Sequence, residues 1–482
     1  MSRRRDELLA SGGAAALTES RGIVLPIVVV ATTILLALLA WVGWGPLPVQ
    51  SAQLTAGAAD ASADATGDAD PAGAATDAAG GAGDLAATAV AATADTATAD
   101  TTAETDAALA WPSTGASAFT LRTVGDVPDA ERVERTVTHG DQQACSIASV
   151  TKLVTVLRVL DRLPLAAGEE GPTITLTQAD ADLEQSYIAQ NGSTMPVTVG
   201  QTLTERQLLE LILLRSSNNH TVTFVNWGFG SVDEYLASTP AWLAEHGLDG
   251  MTIADPTGID ENNRATPQQI VHLGELALAN PAVREIAALQ MADVPGIGQI
   301  TNHNTLVGHD GVDGLKTGSL ATVFNLAWSA HFDVDGVAFE LVGASLGSTN
   351  GHSTLQPEVG RLIASIKAAI SGADVTVAGA SAGTLTTEWG ATSEVRAAAT
   401  VHVLTWRGTP VTTAFVGGSV DADADAGAQV GTASVLVAGQ QVGTAPLLLA
   451  EAIPDPGLAW RATHVDQLVA PTWALVTGRT GA

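Results

Sequence analysis

The apolar residues of this chain are spaced in four different ways, and each spacing predicts a different kind of segment. From Gly22-Ile23 through Trp44 the sequence is apolar and carries no charge. Twenty-odd apolar residues match the hydrocarbon thickness of a bilayer, which predicts a membrane-spanning helix over 23–44. Trp41 and Trp44 stand near its outer end, where indole rings favour the membrane interface. Arg3, Arg4, Arg5 and Arg21 precede it, so residues 1–22 are expected to form a cytoplasmic tail and the remainder to be exported. The competing reading is a cleaved signal peptide and a secreted protein. Its apolar region would be unusually long, and Val49-Gln50-Ser51 is only a passable cleavage site.

Residues 45–110 show no period. They are low-complexity Ala, Thr, Asp and Gly, with ten acidic residues and no basic one between Ser51 and Ala110. Such a segment cannot bury enough apolar surface to offset its chain entropy and is expected to be a disordered linker. A flexible coil of that length reaches about 45 Å.

From Trp111 to Ala373 strand and helix spacings alternate. Ala116–Thr123 and 132–138 predict short strands. Lys152 opens a helix with Leu153, Leu157 and Leu160 on one face. Leu203–Arg215 and Val271–Leu278 predict further helices, Val323–Ala330 and Val337–Leu346 buried strands, and Pro357–Ile370 a closing helix. Strands at both ends around a helical middle predict an α+β domain whose sheet is assembled from the two ends of the segment. Over 374–482, valine and threonine alternate with polar residues in short runs between glycine-rich turns, which predicts a small all-β domain. The stretch at Trp473 is too short and uncharged to predict a strong amphipathic anchor.

The 482 residues hold 51 acidic and 21 basic side chains, a formal charge of −30. A polyanion has no counterions to release from nucleic acid, so no nucleic-acid partner is expected. The single cysteine, Cys145, excludes an intrachain disulfide, and the ten histidines have no metal-site spacing; neither a metal nor a cofactor is predicted. Only three of the basic residues are lysines: Lys152, Lys316 and Lys367.

Two of the three stand in candidate chemical motifs. Ser149-Val150-Thr151-Lys152 places the lysine amine beside the serine hydroxyl, because residues three apart share a helix face. A serine hydroxyl needs a base, and a lysine can serve once burial and a second cation lower its pKa. Lys316-Thr317-Gly318-Ser319 could hold a carboxylate by charge and hydroxyl, with room over Gly318 for a substrate to approach the backbone. Between them, Ser216-Ser217-Asn218-Asn219 offers two overlapping S-x-N readings, of which Ser216/Asn218 follows the preceding helix more directly. Each motif alone is weak; in this order, at intervals of 67 and 100 residues, a chance origin is well below about 0.1%.

This combination is the signature of penicillin-binding proteins and class A β-lactamases. The segment from Trp111 to about Ala373 resembles the serine D-alanyl-D-alanine carboxypeptidases, the low-molecular-weight penicillin-binding proteins of peptidase family S11. The segments Val312-Asp313-Gly314-Leu315, Asn302-His303-Asn304-Thr305-Leu306, Asp255-Pro256-Thr257-Gly258 and Trp111-Pro112-Ser113 also look like that family. The resemblance implies a β-lactamase/transpeptidase-like fold, an antiparallel sheet with helices, followed by the β domain. It implies a peptidoglycan stem peptide as substrate and β-lactams as inhibitors. By the same resemblance Ser149 is the acylated nucleophile, Lys152 its base and Ser216 a proton relay. Asn218 would bind the peptide carbonyl, Lys316 and Thr317 the terminal carboxylate, and the Ser149 and Ser319 N–H groups the oxyanion.

The sequence departs from the family where Asn219 and His220, rather than an acid, follow the S-x-N asparagine. It departs again at Leu320, where a hydroxyl residue is usual, and in carrying its anchor at the N-terminal end. The alternatives are a β-lactamase, a DD-endopeptidase or esterase on the same scaffold, and a non-catalytic cell-surface binding module. The closest string to the β-lactamase E-x-x-L-N pattern, Glu275-Leu276-Ala277-Leu278-Ala279, lacks the asparagine.

Overall fold

A computed structural model describes residues 13–51, 54–55 and 98–477. The chain divides into two compact units: Asp95–Ala373 with His402–Pro410, and Met1–Ala94 with Asp374–Val401 and Val411–Ala482.

In the first unit, β1 (Ala116–Thr123), β2 (Glu134–His139), β3 (Val312–Leu320), β4 (Val323–Val334) and β5 (Val337–Ser348) form one antiparallel sheet in the order β3-β4-β5-β1-β2. The sheet is indeed built from both ends of the segment, with β1 paired to β5 in the register Leu121↔Leu341. Its period-two alternation is apolar on both faces. Phe119, Leu121, Leu326, Trp328, Phe339 and Leu341 pack on one side, while Ala118, Ala327, Val342, Ala344 and Leu346 pack on the other. A sheet covered on both faces reads as continuous apolar runs, which is why β4 and β5 were legible in the sequence.

The helices of the unit are α2 (Thr98–Ala107), α3 (Lys152–Arg162), α4 (Gln178–Ala189), α5 (Glu205–Leu213), α6 (Asn218–Phe229), α7 (Val232–Glu245), α8 (Pro267–Ala279), α9 (Pro281–Ala287) and α10 (His352–Ala368), after α1 (Gly13–Trp44) of the other unit. Helix α10 covers one face of the sheet with Leu355, Val359, Leu362 and Ile366; α3, α5, α6 and α8 cover the other. Helix α3 is buried all round rather than on one face, since Val154, Val156 and Val159 are as fully buried as Leu153. Its buried Thr155 and Arg158 side chains find partners inside the unit. Thr155 Oγ1 donates to the Pro256 carbonyl at 2.8 Å. Arg158 donates to the Tyr235 carbonyl and the Ser238 hydroxyl and lies 4.4 Å from the Tyr235 ring centroid.

Two domain boundaries differ from the sequence reading. The catalytic unit starts before Trp111: helix α2 lies within the expected linker, and its Asp106 pairs with Arg135 at 2.6 Å and accepts from Trp406 Nε1 at 3.0 Å. Residues 402–410 also group with this unit, because Leu404 and Trp406 complete the α10-side core. At its other end the expected linker is also structured, with Gln50–Ser51 paired to Ser419–Val420; residues 52–53 and 56–97 lie outside the described residues.

In the second unit, β6 (Ser381–Thr386), β7 (Thr392–Ala397), β8 (Val411–Gly417), β9 (Gln429–Val437) and β10 (Gln440–Leu449) form an antiparallel sheet in the order β8-β9-β10-β7-β6, with Leu54–Thr55 added beside β6. Two helices that the sequence reading did not anticipate, α11 (Gly457–Thr463) and α12 (Val465–Thr477), follow it. Within α1, Pro26–Trp44 has a mean hydropathy of 2.4 and is long and apolar enough to cross a membrane.

An ion network crosses the catalytic sheet where the sequence reading saw only strands. His331 on β4 bonds Asp313 on β3 at 2.5 Å and Glu340 on β5 at 3.0 Å. Glu340, almost fully buried, also pairs with Arg122 of β1 and with Arg284 of α9. Hydrogen bonds to the two carboxylates raise the His331 pKa to about 9, and bonds from His331 lead those that lower Glu340 to about 2. The raised His331 contributes stability below its ordinary 6.5 and loses it as pH rises through about 9. The depressed Glu340 contributes above 4.5 and loses it as pH falls towards about 2. We expect His331→Gln to cost about 1.5–3 kcal/mol between those limits. The deficit in thermal unfolding temperature should shrink as pH approaches 9; a deficit that stays constant up to pH 9 would contradict the ionic account.

Candidate active site

Ser149 lies in a single turn of 3-10 helix, Ala148–Thr151, that runs directly into α3. In 3-10 geometry residues three apart eclipse, so Ser149 and Lys152 point the same way. The Lys152 side chain is fully buried, and its Nζ lies 3.0 Å from Ser149 Oγ. It also donates to Asn218 Oδ1 and to the Thr257 carbonyl, both at 2.6 Å. Burial first, and then the nearby charge of Lys316, hold its pKa well below the ordinary lysine value, while Asp255 opposes them. A neutral amine has two N–H donors and one lone pair. The two carbonyl oxygens can accept only from the N–H groups, so the lone pair is left facing the Ser149 hydroxyl.

The S-x-N ambiguity resolves on hydrogen bonds. Asn219 is committed to local structure, bonding the Met195 backbone at both its amide atoms. Ser217 caps α6 and bonds His220 Nδ1 at 2.8 Å. Asn218 is the one that meets Lys152, and its Nδ2 has no partner among the described residues. Ser216 occupies a left-handed conformation, φ +62°, that is costly for a residue with a Cβ. Its Oγ is buried without a hydrogen-bond partner. His220, standing two places after Asn218, is fully buried with its pKa lowered to about 4 by burial.

Lys316, Thr317 and Gly318 lie inside β3, the edge strand, with Lys316 paired across to Ala327. Lys316 is buried, donates to the Thr317 carbonyl at 2.9 Å, and has its pKa pushed down to about 7 by burial. Ser319 is exposed at the end of the strand. The structure gives Gly318 a different role from the expected one. A Cβ there would lie 2.7 Å from the Ile147 carbonyl and 3.2 Å from Ser149 N, so the missing side chain lets the strand press against the turn that carries Ser149. On the other side, a Cβ on Gly258 would lie 1.9 Å from the Ala148 carbonyl, and its φ is +83°. The turn that carries Ser149 is thus held between two glycine contacts.

Sequence reasoning quoted Asp255-Pro256-Thr257-Gly258 without assigning it a role. The Asp255 carboxylate organises this loop, accepting from Thr257 N, Thr257 Oγ1 and Gly258 N with one oxygen, and from Asp260 N and Asn263 Nδ2 with the other. That arrangement aims the Thr257 carbonyl at Lys152. A backbone acceptor leaves no side-chain signature, so only the D-P-T-G turn chemistry could have pointed to it. Among the described residues no cluster of histidine, cysteine or carboxylate side chains could hold a metal.

Comparison with known proteins follows this geometry. No curated protein sequence matches the chain. Penicillin-binding protein 5 from Haemophilus influenzae is 17% identical over 71% of this chain and 99% of its own, with a TM-score of 0.47. The D-alanyl-D-alanine carboxypeptidase DacD from Francisella tularensis is 16% identical over 70% and 94%, with a TM-score of 0.45. The Streptomyces K15 DD-transpeptidase is 20% identical over 53% and 97%, with a TM-score of 0.44. The family model described as D-alanyl-D-alanine carboxypeptidase matches residues 135–330, a span that includes every residue from Ser149 to Ser319 placed in the site. What the comparison shows for this segment is a match to the D-alanyl-D-alanine carboxypeptidase family, peptidase S11.

Proposed function

We propose that the protein is a penicillin-sensitive serine D-alanyl-D-alanine carboxypeptidase that trims peptidoglycan stem peptides. The observation that carries this reading is Lys152: a buried amine with two carbonyl acceptors and a serine hydroxyl at 3.0 Å. Ser149 Oγ gives its proton to Lys152 and attacks the carbonyl carbon of the penultimate D-Ala. The oxyanion is held by the backbone N–H groups of Ser149 and Ser319. Collapse breaks the C–N bond, and the proton on Lys152 passes through Ser216 Oγ to the leaving amine of the last D-Ala. The ester on Ser149 is then hydrolysed by a water that gives its proton to Lys152, and Lys152 returns that proton to Ser149 Oγ as the C–O bond breaks. Asn218 Nδ2 binds the backbone of the peptide, while Lys316 and Thr317 hold its terminal carboxylate. Penicillins mimic that terminus and acylate the same serine.

The β-lactamase alternative has less support. Such enzymes activate the deacylating water with a glutamate, and among the described residues no carboxylate bonds Ser149 or Lys152. The apolar helix over Pro26–Trp44 supports attachment to a membrane, with the catalytic unit on the outer side.

A fluorescent penicillin is expected to label the wild type and not Ser149→Ala; an unlabelled wild type would overturn the reading. Lys152→Arg should lower the acylation rate by about 10²–10⁴-fold, because a guanidinium does not give up its proton in a protein. Near-wild-type acylation by that variant would exclude Lys152 as the base. The enzyme should release D-alanine from a D-Ala-D-Ala-terminated peptide and turn over penicillin slowly, and the opposite balance would mark a β-lactamase.

A further inference from the structure

Beyond the K-T-G strand the site is walled by bases. Arg215, immediately before Ser216, donates to the Thr301 carbonyl at 3.3 Å. His303 is fixed from two sides: its N–H donates to the Leu214 carbonyl, and its own carbonyl accepts from Gln356 Nε2, both at 3.0 Å. Gln356 sits one turn after His352 on α10, and its Oε1 accepts from Thr305 N and Thr305 Oγ1. The 301–305 loop is therefore stapled between the end of α5 and the first turn of α10, which brings His303 and His352 to the same place.

His352 meets the end of β3. Its ring packs edge-on to Phe324, with centroids 5.4 Å apart, and Phe324 stands opposite Ser319 in the β3–β4 register. The ring is also within hydrogen-bonding reach of the Gly318 backbone. Its Nδ1 is buried and has no hydrogen-bond partner. The charged groups acting on His303 are Lys316, Arg215 and His352, and the one acting on His352 is Lys316. No carboxylate is among them, in a chain whose net charge is −30.

A buried imidazole nitrogen without a partner costs stability unless something arrives to use it. Here the neighbours are cations, so the missing group is an anion. Resting on the carboxypeptidase reading above, we propose that His352 is a substrate-binding residue: its Nδ1 takes up a proton from solvent as the free terminal carboxylate of the substrate enters, and donates that proton's hydrogen bond to the carboxylate beside Lys316. In the empty site burial and then Lys316 hold the His352 pKa below the ordinary value, disfavouring its charged form; the Gly318 backbone contact acts the other way. The carboxylate supplies the opposing charge. His303, pushed down to about 4 by burial and by its basic neighbours, fills the wall.

The linkage fixes the sign. Carboxylate binding that takes up a proton weakens as pH rises above the pKa of the empty site, by up to about tenfold per pH unit. Lys316, with its pKa at about 7, begins to lose its own charge as pH approaches about 6.5, so the part of the slope that belongs to His352 is the part that its removal abolishes. The test uses the full chain in detergent and compares the acylation rate constants of one penicillin as its free acid and as its methyl ester, from about pH 5 to about 6.5. The acid-to-ester ratio cancels changes at Ser149 and Lys152 and reports carboxylate recognition alone. In the wild type the ratio should fall with rising pH, and in His352→Asn and His352→Gln it should be lower and its slope shallower. A ratio that keeps its wild-type slope in both variants, or a wild-type ratio that does not change with pH, overturns the proposal while leaving the carboxypeptidase reading intact. A wild type acylated by neither compound overturns both.

Discussion

The amine of Lys152 is sealed from water with no carboxylate bonded to it, and the catalytic unit is arranged around that constraint. A charged ammonium in such a place costs several kcal/mol unless it is paired. The hydrogen bonds do not decide the charge, since Asn218 Oδ1, the Thr257 carbonyl and Ser149 Oγ could together accept from an ammonium; burial and the charge of Lys316 are what disfavour it. The surrounding structure therefore favours the base form before any substrate arrives. Holding the acceptors in place takes most of the unit: α3 fixes the lysine, the cap of α6 fixes Asn218, and the Asp255 loop fixes the Thr257 carbonyl. Thr155, one turn along α3 from Lys152, ties the same loop back to the helix through the Pro256 carbonyl.

A second buried lysine adds to the effect of burial on the first. Burial and then the charge of Lys316 hold Lys152 well below the ordinary lysine value, while burial alone pushes Lys316 down to about 7. The scarcity of lysine in the sequence fits these demands. In the proposed mechanism the cation at position 152 must be able to lose its proton, which arginine cannot do. At position 316 a compact ammonium fits in a strand that also presses on the turn that carries Ser149.

Much of this was legible in the sequence, for physical reasons that differ between elements. Strands β4 and β5 announced themselves because a sheet covered on both faces must be apolar throughout. Ser149, Lys152 and Lys316 stood out as side-chain chemistry at fixed spacing. The choice of Ser216/Asn218 over Ser217/Asn219 could be made only weakly, since both serines start a turn and only the structure separates the helix cap from the residue that meets Lys152. The Thr257 carbonyl was not legible, because a backbone acceptor can be supplied by any residue. The Asp313–His331–Glu340 network was missed because its members are far apart in sequence and meet only through strand register. Helix α2 was hidden in low-complexity sequence, where Asp106 looks like any other aspartate until Arg135 and Trp406 are folded against it.

The site depends more on backbone than on side chains, and this bears on how it survives in such an unusual composition. The turn that carries Ser149 is positioned by close contacts at Gly258 and Gly318, by Ala148 in the left-handed region at φ +47°, and by carbonyl groups of Pro256 and Thr257. None of these demands a lysine, an aromatic residue or a particular surface charge. A chain can therefore drift towards alanine, aspartate, threonine and glycine over its exposed positions while the few residues that must carry a proton or a hydroxyl stay in place. The constraint on such drift is electrostatic: acidic residues can accumulate wherever solvent screens them, but a carboxylate introduced beside Lys152 would hold the proton that the base must lose.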